Sequence, residues 1–320
     1  MKIIIFLLIL VSCSQTVTRN PSSENHIFSI QDLRDKIKKA KSGEIITINE
    51  DTLFDFSDEP TLVIDKKIHL KGIRSKVGAR PIFKSWKTHF PLISIKADGV
   101  IIDSLKIEGM ETDQKKSEII ELNKKGIKGV YQFPVTRGIQ VQANDVKIIN
   151  CEISGFSHAA IYAENAVNLL VEKNFIHHNQ RWGLGYGVSL HLLSTAIIIN
   201  NKFNHNRHSI AGSGSPGQSY EAAYNWFGKN HSASPLDMHG GKDRGDGTHI
   251  AGKVVYIHHN TIRDDVNYAF IHRGIAQDFV IFENNNLEHK DDAKVIGYYN
   301  IGAKNLPKNK FFYRNNHLSE

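Results

Sequence analysis

The chain has 320 residues, 40% of them hydrophobic and 23% charged, with a formal net charge of +7 and a pI near 9.2. That balance supports one sizeable core and excludes a disordered chain, and two cysteines are too few for a disulfide-stapled scaffold. Beyond the first dozen residues no apolar run is long enough to cross a bilayer with a helix.

The chain opens on Met1-Lys2, an almost wholly apolar stretch over 3–11, and then Ser12-Cys13. A basic start, a short apolar stretch and a small residue make a secretory signal, too short to span a membrane. Leu10-Val11-Ser12-Cys13 resembles a bacterial lipobox, which implies cleavage before Cys13 and lipidation there. The expected organisation is a signal over 1–12, a lipidated polar tether over 13–25 and one domain over 26–320. Acyl chains would then hold the protein to a membrane of the bacterial cell envelope. With Cys13 lipidated, Cys151 has no disulfide partner and reads as a core residue.

Ser29-Ile30-Gln31-Asp32 starts a helix with a capping-box-like spacing. Ile30, Leu33, Ile37 and Ala40 line one face, and Lys38, Lys39 and Lys41 suit its C-terminal dipole. Strand patterns follow at 45–48, 62–64 and 68–70. One phrase then recurs eight times: two apolar residues at period two, a fixed position, and another apolar residue two further on. The fixed positions are Leu105, Cys151, Asn174, Asn201, Asn225, Asn260, Asn285 and Asn316, separated by 23 to 46 residues. Units of this size cannot bury an apolar face alone, so they stack, and period two makes their elements strands. The asparagines are expected to take the left-handed backbone of a sharp corner and to bond to one another as a ladder. Three insertions, 109–136, 212–217 and 230–252, interrupt the repeats and are expected to wall a groove.

This pattern resembles the right-handed parallel β-helix superfamily, the pectate-lyase-like proteins, over residues 45–318. The fold class implied is all-β: a single right-handed parallel β-helix with an N-terminal capping α-helix and inserted loops. A polysaccharide substrate is what the resemblance implies; the motif is architectural and leaves the reaction open. The Gly-His-Gly signature of polygalacturonase-like hydrolases is absent, no Arg-x-Lys stands among the repeats from 100 onward, and no counterpart of the pectate lyase signatures is present.

Aligning the strands that follow each corner gives an outward column Gln142, Glu164, His191, Ser213, His239, His272 and Tyr298. Beside it run Gln140, Tyr162, Ser189, Ala211, Asp237, Phe270 and Ile296. With rungs about 4.8 Å apart, His239 and His272 would be neighbours and Asp237 would flank them. Abstracting the proton α to a uronate carboxylate needs a base and a cation for the developing charge. His239 or His272 is expected as base, Arg207 or Arg273 as neutraliser, and Tyr268, Tyr298 or His208 as proton donor. His191, Tyr162, Glu164, Tyr268 and Tyr298 are the candidate substrate contacts. A glycoside hydrolase would instead need two carboxylates, for which Asp237 with Glu221 or Asp265 are the candidates.

Asp237, Asp243 and Asp246 could supply oxygen ligands to calcium, the one cofactor considered. His258 and His259, next to one another on a strand, face opposite ways and do not suggest a shared transition-metal site with His239 and His249. The leading expectation is a lyase or epimerase acting on an acidic, uronate-containing polysaccharide. The alternatives are a non-catalytic glycan-binding or envelope-structural β-helix and, third, a glycoside hydrolase. The basic charge suits a polyanionic partner; no nucleic-acid reading motif is present, and a monomer is expected.

Overall fold

The computed structural model describes residues 27, 29–264, 267–288, 295–300 and 305–319. The signal over 1–12, the whole tether over 13–25 with Cys13, and Asp265 lie outside the described residues.

Each coil of chain contributes a strand to each of three sheets in turn, beginning with Glu44–Ile48, Leu53–Asp55 and Leu62–Ile64. Every strand pairs in parallel with its counterpart one coil later, giving sheets of ten, ten and nine strands among the described residues. The path is a right-handed parallel β-helix. Its first-sheet register runs Ile102, Ile148, Val171, Ile198, Ala222, Ile257 and Phe282, all fully buried, so the period-two residues are one inward column. Ile107, Ile153, Ile176, Phe203, Phe227, Ile262 and Leu287 form a second such column in the next sheet. Burying each aliphatic side chain contributes about 1.5–3 kcal/mol, and stacking identical positions repeats that gain at every rung.

The helix over Ile30–Lys39 covers the open N-terminal end of the stack. Ser29 Oγ accepts the Asp32 backbone N–H at 3.0 Å, and Leu33 and Ile37 are buried at 0% and 3% exposure against the first coils.

The asparagine column forms the expected ladder. Asn174 Nδ2 donates to Asn201 Oδ1, Asn201 to Asn225 and Asn225 to Asn260, each at 3.0 Å, and the series continues through Asn285 to Asn316. Each acceptor oxygen also takes a backbone N–H from the coil before it, as in Asn174 N to Asn201 Oδ1 at 2.9 Å. The left-handed residue, however, is the one before the asparagine: Asn150, Lys173, Asn200, Tyr224, His259 and Asn284 all have φ between 53° and 59°. The corner needs one left-handed residue and one inward amide, and a single residue does not do both. Lys173 and Tyr224 tolerate a conformation unusual for them because the amide behind each holds the corner. Cys151 ends the ladder: its backbone N–H donates to Asn174 Oδ1 at 2.8 Å, and burial pushes its thiol up to about 12. It is an inert core group. A second, shorter ladder, Asn179 Nδ2 to Asn206 Oδ1 at 2.9 Å, forms at the corner that leads into the third sheet.

The insertions stand at the edges of the third sheet. The 109–136 segment, with helix Lys116–Lys124 and a 3-10 turn Gly129–Tyr131, precedes the third-sheet strand Arg137–Val141. The 230–252 segment is divided by the strand Leu236–Met238, and its second half, with the short helix Gly241–Arg244, rises from the opposite edge.

Candidate functional site

The outward face of the third sheet carries the site. Tyr162 pairs with Gln140 and Ser189, Ala211 with Ser189 and Asp237, and Glu164 with His191, as the aligned strands require. One rung later the register slips by one. Leu236 pairs with Phe270 and Met238 with His272, so His272 shares the inward face of Met238. It is 1% exposed and lies between the rings of Phe270 and Phe311. The expected neighbour of His239 is thus a core residue. The cause is Tyr268-Ala269-Phe270-Ile271-His272, which is too apolar to declare its own phase; burying Phe270, stacked on Phe282, fills the interior. Tyr298 pairs with His272 and packs on Phe311, and Tyr268 packs on Tyr299, so neither reaches the cleft.

The same slip brings Arg273 to Asp237. Arg273 Nε and Nη2 donate to Asp237 Oδ1 and Oδ2, both at 2.7 Å, in a two-pronged fork. His208 Nε2 and His239 Nε2 each lie 3.2 Å from Asp237 Oδ2. Asp237 is completely buried. Burial alone would raise its carboxyl; His208, His239 and Arg273 outweigh that and hold it far below the usual carboxylate range. His208 Nδ1 donates to the Ser234 carbonyl at 2.5 Å, so its two ring nitrogens face that carbonyl and the Asp237 carboxylate. Asp237 is therefore an ionised anchor. With Asp237 on Nε2, His239 directs Nδ1 towards Asp243 Oδ2, 3.8 Å away, and both residues line the cleft.

The cleft has a volume of about 380 Å³ and runs across the rungs beside this anchor. Its floor includes His158, Tyr186, Ser189 and His191, with Tyr131 on one wall and Asp243 and Arg244 on the other. Arg137 Nε donates to His158 Nδ1 at 2.9 Å, and its guanidinium lies 3.4 Å from the Tyr162 ring centre and 3.9 Å from that of Phe90. Burial and then Arg137 push His158 down to about 3, and the same causes push His191 down to about 4. His191 stacks on Tyr162 at 4.4 Å and its Nε2 pairs with Ser189 Oγ at 2.9 Å. Tyr186 stacks on His208, and burial raises its phenol, so it keeps its proton. Arg207 Nη1 reaches the Tyr186 hydroxyl at 3.5 Å. At neutral pH the floor therefore presents uncharged imidazoles and a protonated phenol between arginines.

The Tyr131 wall is held from beneath. Arg181 Nε and Nη2 donate to Glu111 at 2.8 and 2.6 Å, with both side chains nearly buried, and Trp182 N donates to the Gln114 carbonyl. This pair locks the 109–136 insertion to the loop that carries Gly183 and Leu184.

Of the residues named from sequence, His239, Asp237, Arg273, Arg207, His208, His191 and Tyr162 converge; Glu164 accepts from Gln142 beside the cleft. The three calcium candidates do not converge on a cage. Asp237 is filled by Arg273, Asp243 accepts the Gly240 N–H, and Asp246 is taken by Arg244 and Thr248. Among the described residues no three His, Cys, Asp or Glu are arranged to hold a metal. Arg137, His158, Tyr186 and Tyr131 went unrecognised. One signal was readable: Arg137 and Tyr186 each precede a glycine in a strand, and at both an added Cβ would lie 2.5 Å from a backbone carbonyl of the next rung, that of Ala160 or Ser209. A strand-start residue before such a glycine must point outward.

The family model described as right handed beta helix region matches residues 130–242. The alginate lyase of Paenibacillus sp. strain FPU-7 superposes with a TM-score of 0.58 at 15% identity, covering 92% of this chain and 97% of that one. This chain is a right-handed parallel β-helix. The Family 28 exopolygalacturonase of Yersinia enterocolitica superposes on the β-helix with a TM-score of 0.56 at 12% identity, over 90% of this chain and 62% of that one. No curated protein matches the sequence. At such identities the likeness carries the fold, and the reaction has to be argued from the cleft.

Proposed function

We propose that this β-helix is an enzyme acting on a uronate-containing acidic polysaccharide by abstracting the proton α to the carboxylate, as a lyase or an epimerase. The observation that carries the reading is the charge arrangement at the cleft: neutral proton-carrying rings on its floor, Arg137 and Arg207 in contact with those rings, and the buried Asp237 carboxylate locked to Arg273. Arg207 meets the carboxylate of the reacting sugar and takes up the charge that develops there. His239, oriented through Nε2 by Asp237, offers Nδ1 as the base, and Tyr186 offers its hydroxyl proton to the leaving oxygen. A two-carboxylate hydrolysis is poorly served, because Asp243 is the single carboxylate among the described lining residues and Asp237 cannot hold a proton. The substrates named for the two similar structures, alginate and a polygalacturonan, are both uronate chains and agree with this choice.

The deciding experiment incubates the full chain with acidic polysaccharides and follows ultraviolet absorbance, reducing ends and proton exchange at C5 together. Unsaturated product establishes a lyase; exchange without cleavage establishes an epimerase. Reducing ends without absorbance would replace this reading by hydrolysis, and binding without any of the three signals would make the protein a glycan binder. We also propose that Cys13 carries the acyl anchor that keeps the enzyme at a membrane, on the strength of the Leu10-Val11-Ser12-Cys13 motif.

A further inference from the structure

The loops that enter the third sheet on successive coils share one edge of the molecule. Those of the first three coils, ahead of Leu62–Ile64, Ile93–Ile95 and Arg137–Val141, border a second depression of about 670 Å³. Ser57, Asp58, Trp86, Lys87, Thr88 and Met110 line it. The cleft begins where this depression ends. Met110, at the root of the 109–136 insertion, belongs to the depression, and Tyr131 of the same insertion belongs to the cleft. Phe90 bridges the two: it follows His89 of the depression, and its ring stacks on His158 of the cleft floor with centres 6.1 Å and planes 9° apart.

The loop that carries Trp86 is pinned around it. Trp86 N donates to Ser57 Oγ at 3.0 Å, Lys87 pairs with Asp58, and His89 Nε2 donates to the Phe56 carbonyl at 2.7 Å. The indole nevertheless stays 55% exposed, with Lys84 Nζ 5.7 Å from its ring centre. A fixed loop that leaves its largest apolar side chain in water presents a preorganised contact surface. The surroundings select its occupant. Asp58, Asp55 and Glu59 are paired with Lys87, Lys84 and Arg34, so charge is balanced there and gives no grip of its own. An aromatic face rimmed by hydroxyls and ion pairs suits a pyranose ring, which has an apolar C–H face and a polar edge. We propose that Trp86 is the stacking platform of a distal sugar subsite that extends the cleft towards the N-terminal helix. The strand after Trp86 and the strand before His239 are joined by the register Ile93, Ile139, Ile161, Val188, Ile210 and Leu236, five rungs or roughly 24 Å. One sugar of an extended 1,4-linked chain advances by about a rung, so a chain that meets both residues has about six sugars. This rests on the reading that the cleft takes a glycan, and it adds how long a chain the molecule grips and by what contact at the far end.

The test titrates the full chain with mannuronate and galacturonate tri- and hexasaccharides, followed by calorimetry and by tryptophan fluorescence. The hexasaccharide should bind about tenfold tighter than the trisaccharide. Trp86→Ala should abolish that gain and leave trisaccharide affinity unchanged, and Trp86→Tyr should recover part of it. Of the three tryptophans in the chain, Trp86 should be the one whose emission responds to the hexasaccharide, so the response should vanish in Trp86→Tyr. A gain that survives Trp86→Ala, an equal loss at both lengths, or a fluorescence response that persists in Trp86→Tyr would overturn the proposal. The tyrosine variant keeps an aromatic ring and decides even if Trp86→Ala fails to fold. Turnover without a Trp86-dependent gain would remove the subsite and keep the glycan reading; no binding of either length to the unaltered chain would refute that reading and the subsite with it.

Discussion

Asp237 and His239 share one oxygen contact at 3.2 Å, yet they differ in what their removal should do. His239 is 27% exposed on its side chain and contributes little to packing. His239→Ala should leave the melting temperature nearly unchanged while lowering turnover by about a hundredfold, the scale of a lost general base. Full activity in that variant would place the base elsewhere. His272 behaves in the opposite way. It is buried with no hydrogen-bond partner among the described residues at either ring nitrogen, and burial lowers its pKa from 6.5 to about 4. Because the folded value is lower than the unfolded one, the unfolded chain binds the extra proton. The stability involved is complete above pH 6.5 and is lost as pH falls towards 4. The slope is at most about 1.4 kcal/mol per pH unit per histidine. His272→Phe should keep activity and move the acid-unfolding midpoint to lower pH; an unchanged midpoint, read by circular dichroism, would remove His272 from the acid response.

At the scale of elements, the ladder and the wall hold by different means. Asn201 sits in the middle of the amide column: its Nδ2 donates to the Val171 and Ile199 carbonyls and to Asn225, and its Oδ1 accepts from Asn174. Asn201→Leu leaves these groups without partners in a site closed to water. The loss expected is about 1–3 kcal/mol for each orphaned group that cannot relax, measured as a lower urea midpoint. A midpoint equal to that of the unaltered chain would mean the corner is held by backbone pairing alone. The 109–136 wall depends instead on the buried Glu111–Arg181 pair. Such a pair contributes more to placement than to stability, since removing one partner strands a buried charge while replacing both with apolar residues is close to neutral. That distinction fits a wall whose role is to hold Tyr131 over the cleft.

For the molecule as a whole, the proposed acyl anchor and the cleft make separate predictions. Cys13→Ala should release the protein from the membrane fraction or leave it unprocessed, and its fatty-acid labelling should vanish. Labelling that persists in this variant would refute the anchor. The stacked architecture was legible in the chain because each coil buries the same face: Ile148, Val171 and Ile198 declare their phase by alternation, and Asn174, Asn201 and Asn225 mark the corner. A repeated interior repeats in sequence. The site does not, because its parts come from corners and insertions that obey no period. Arg137 and Arg207 contact His158 and Tyr186, which line the same cleft, from 70 residues apart. Local sequence determined the strands, the ladder and the outward direction of His239, while only the tertiary structure decided that Arg273 rather than His272 stands beside Asp237. The physical reason is that both phases of Tyr268-Ala269-Phe270-Ile271-His272 are apolar, so the choice fell to the volume the core needed at Phe270.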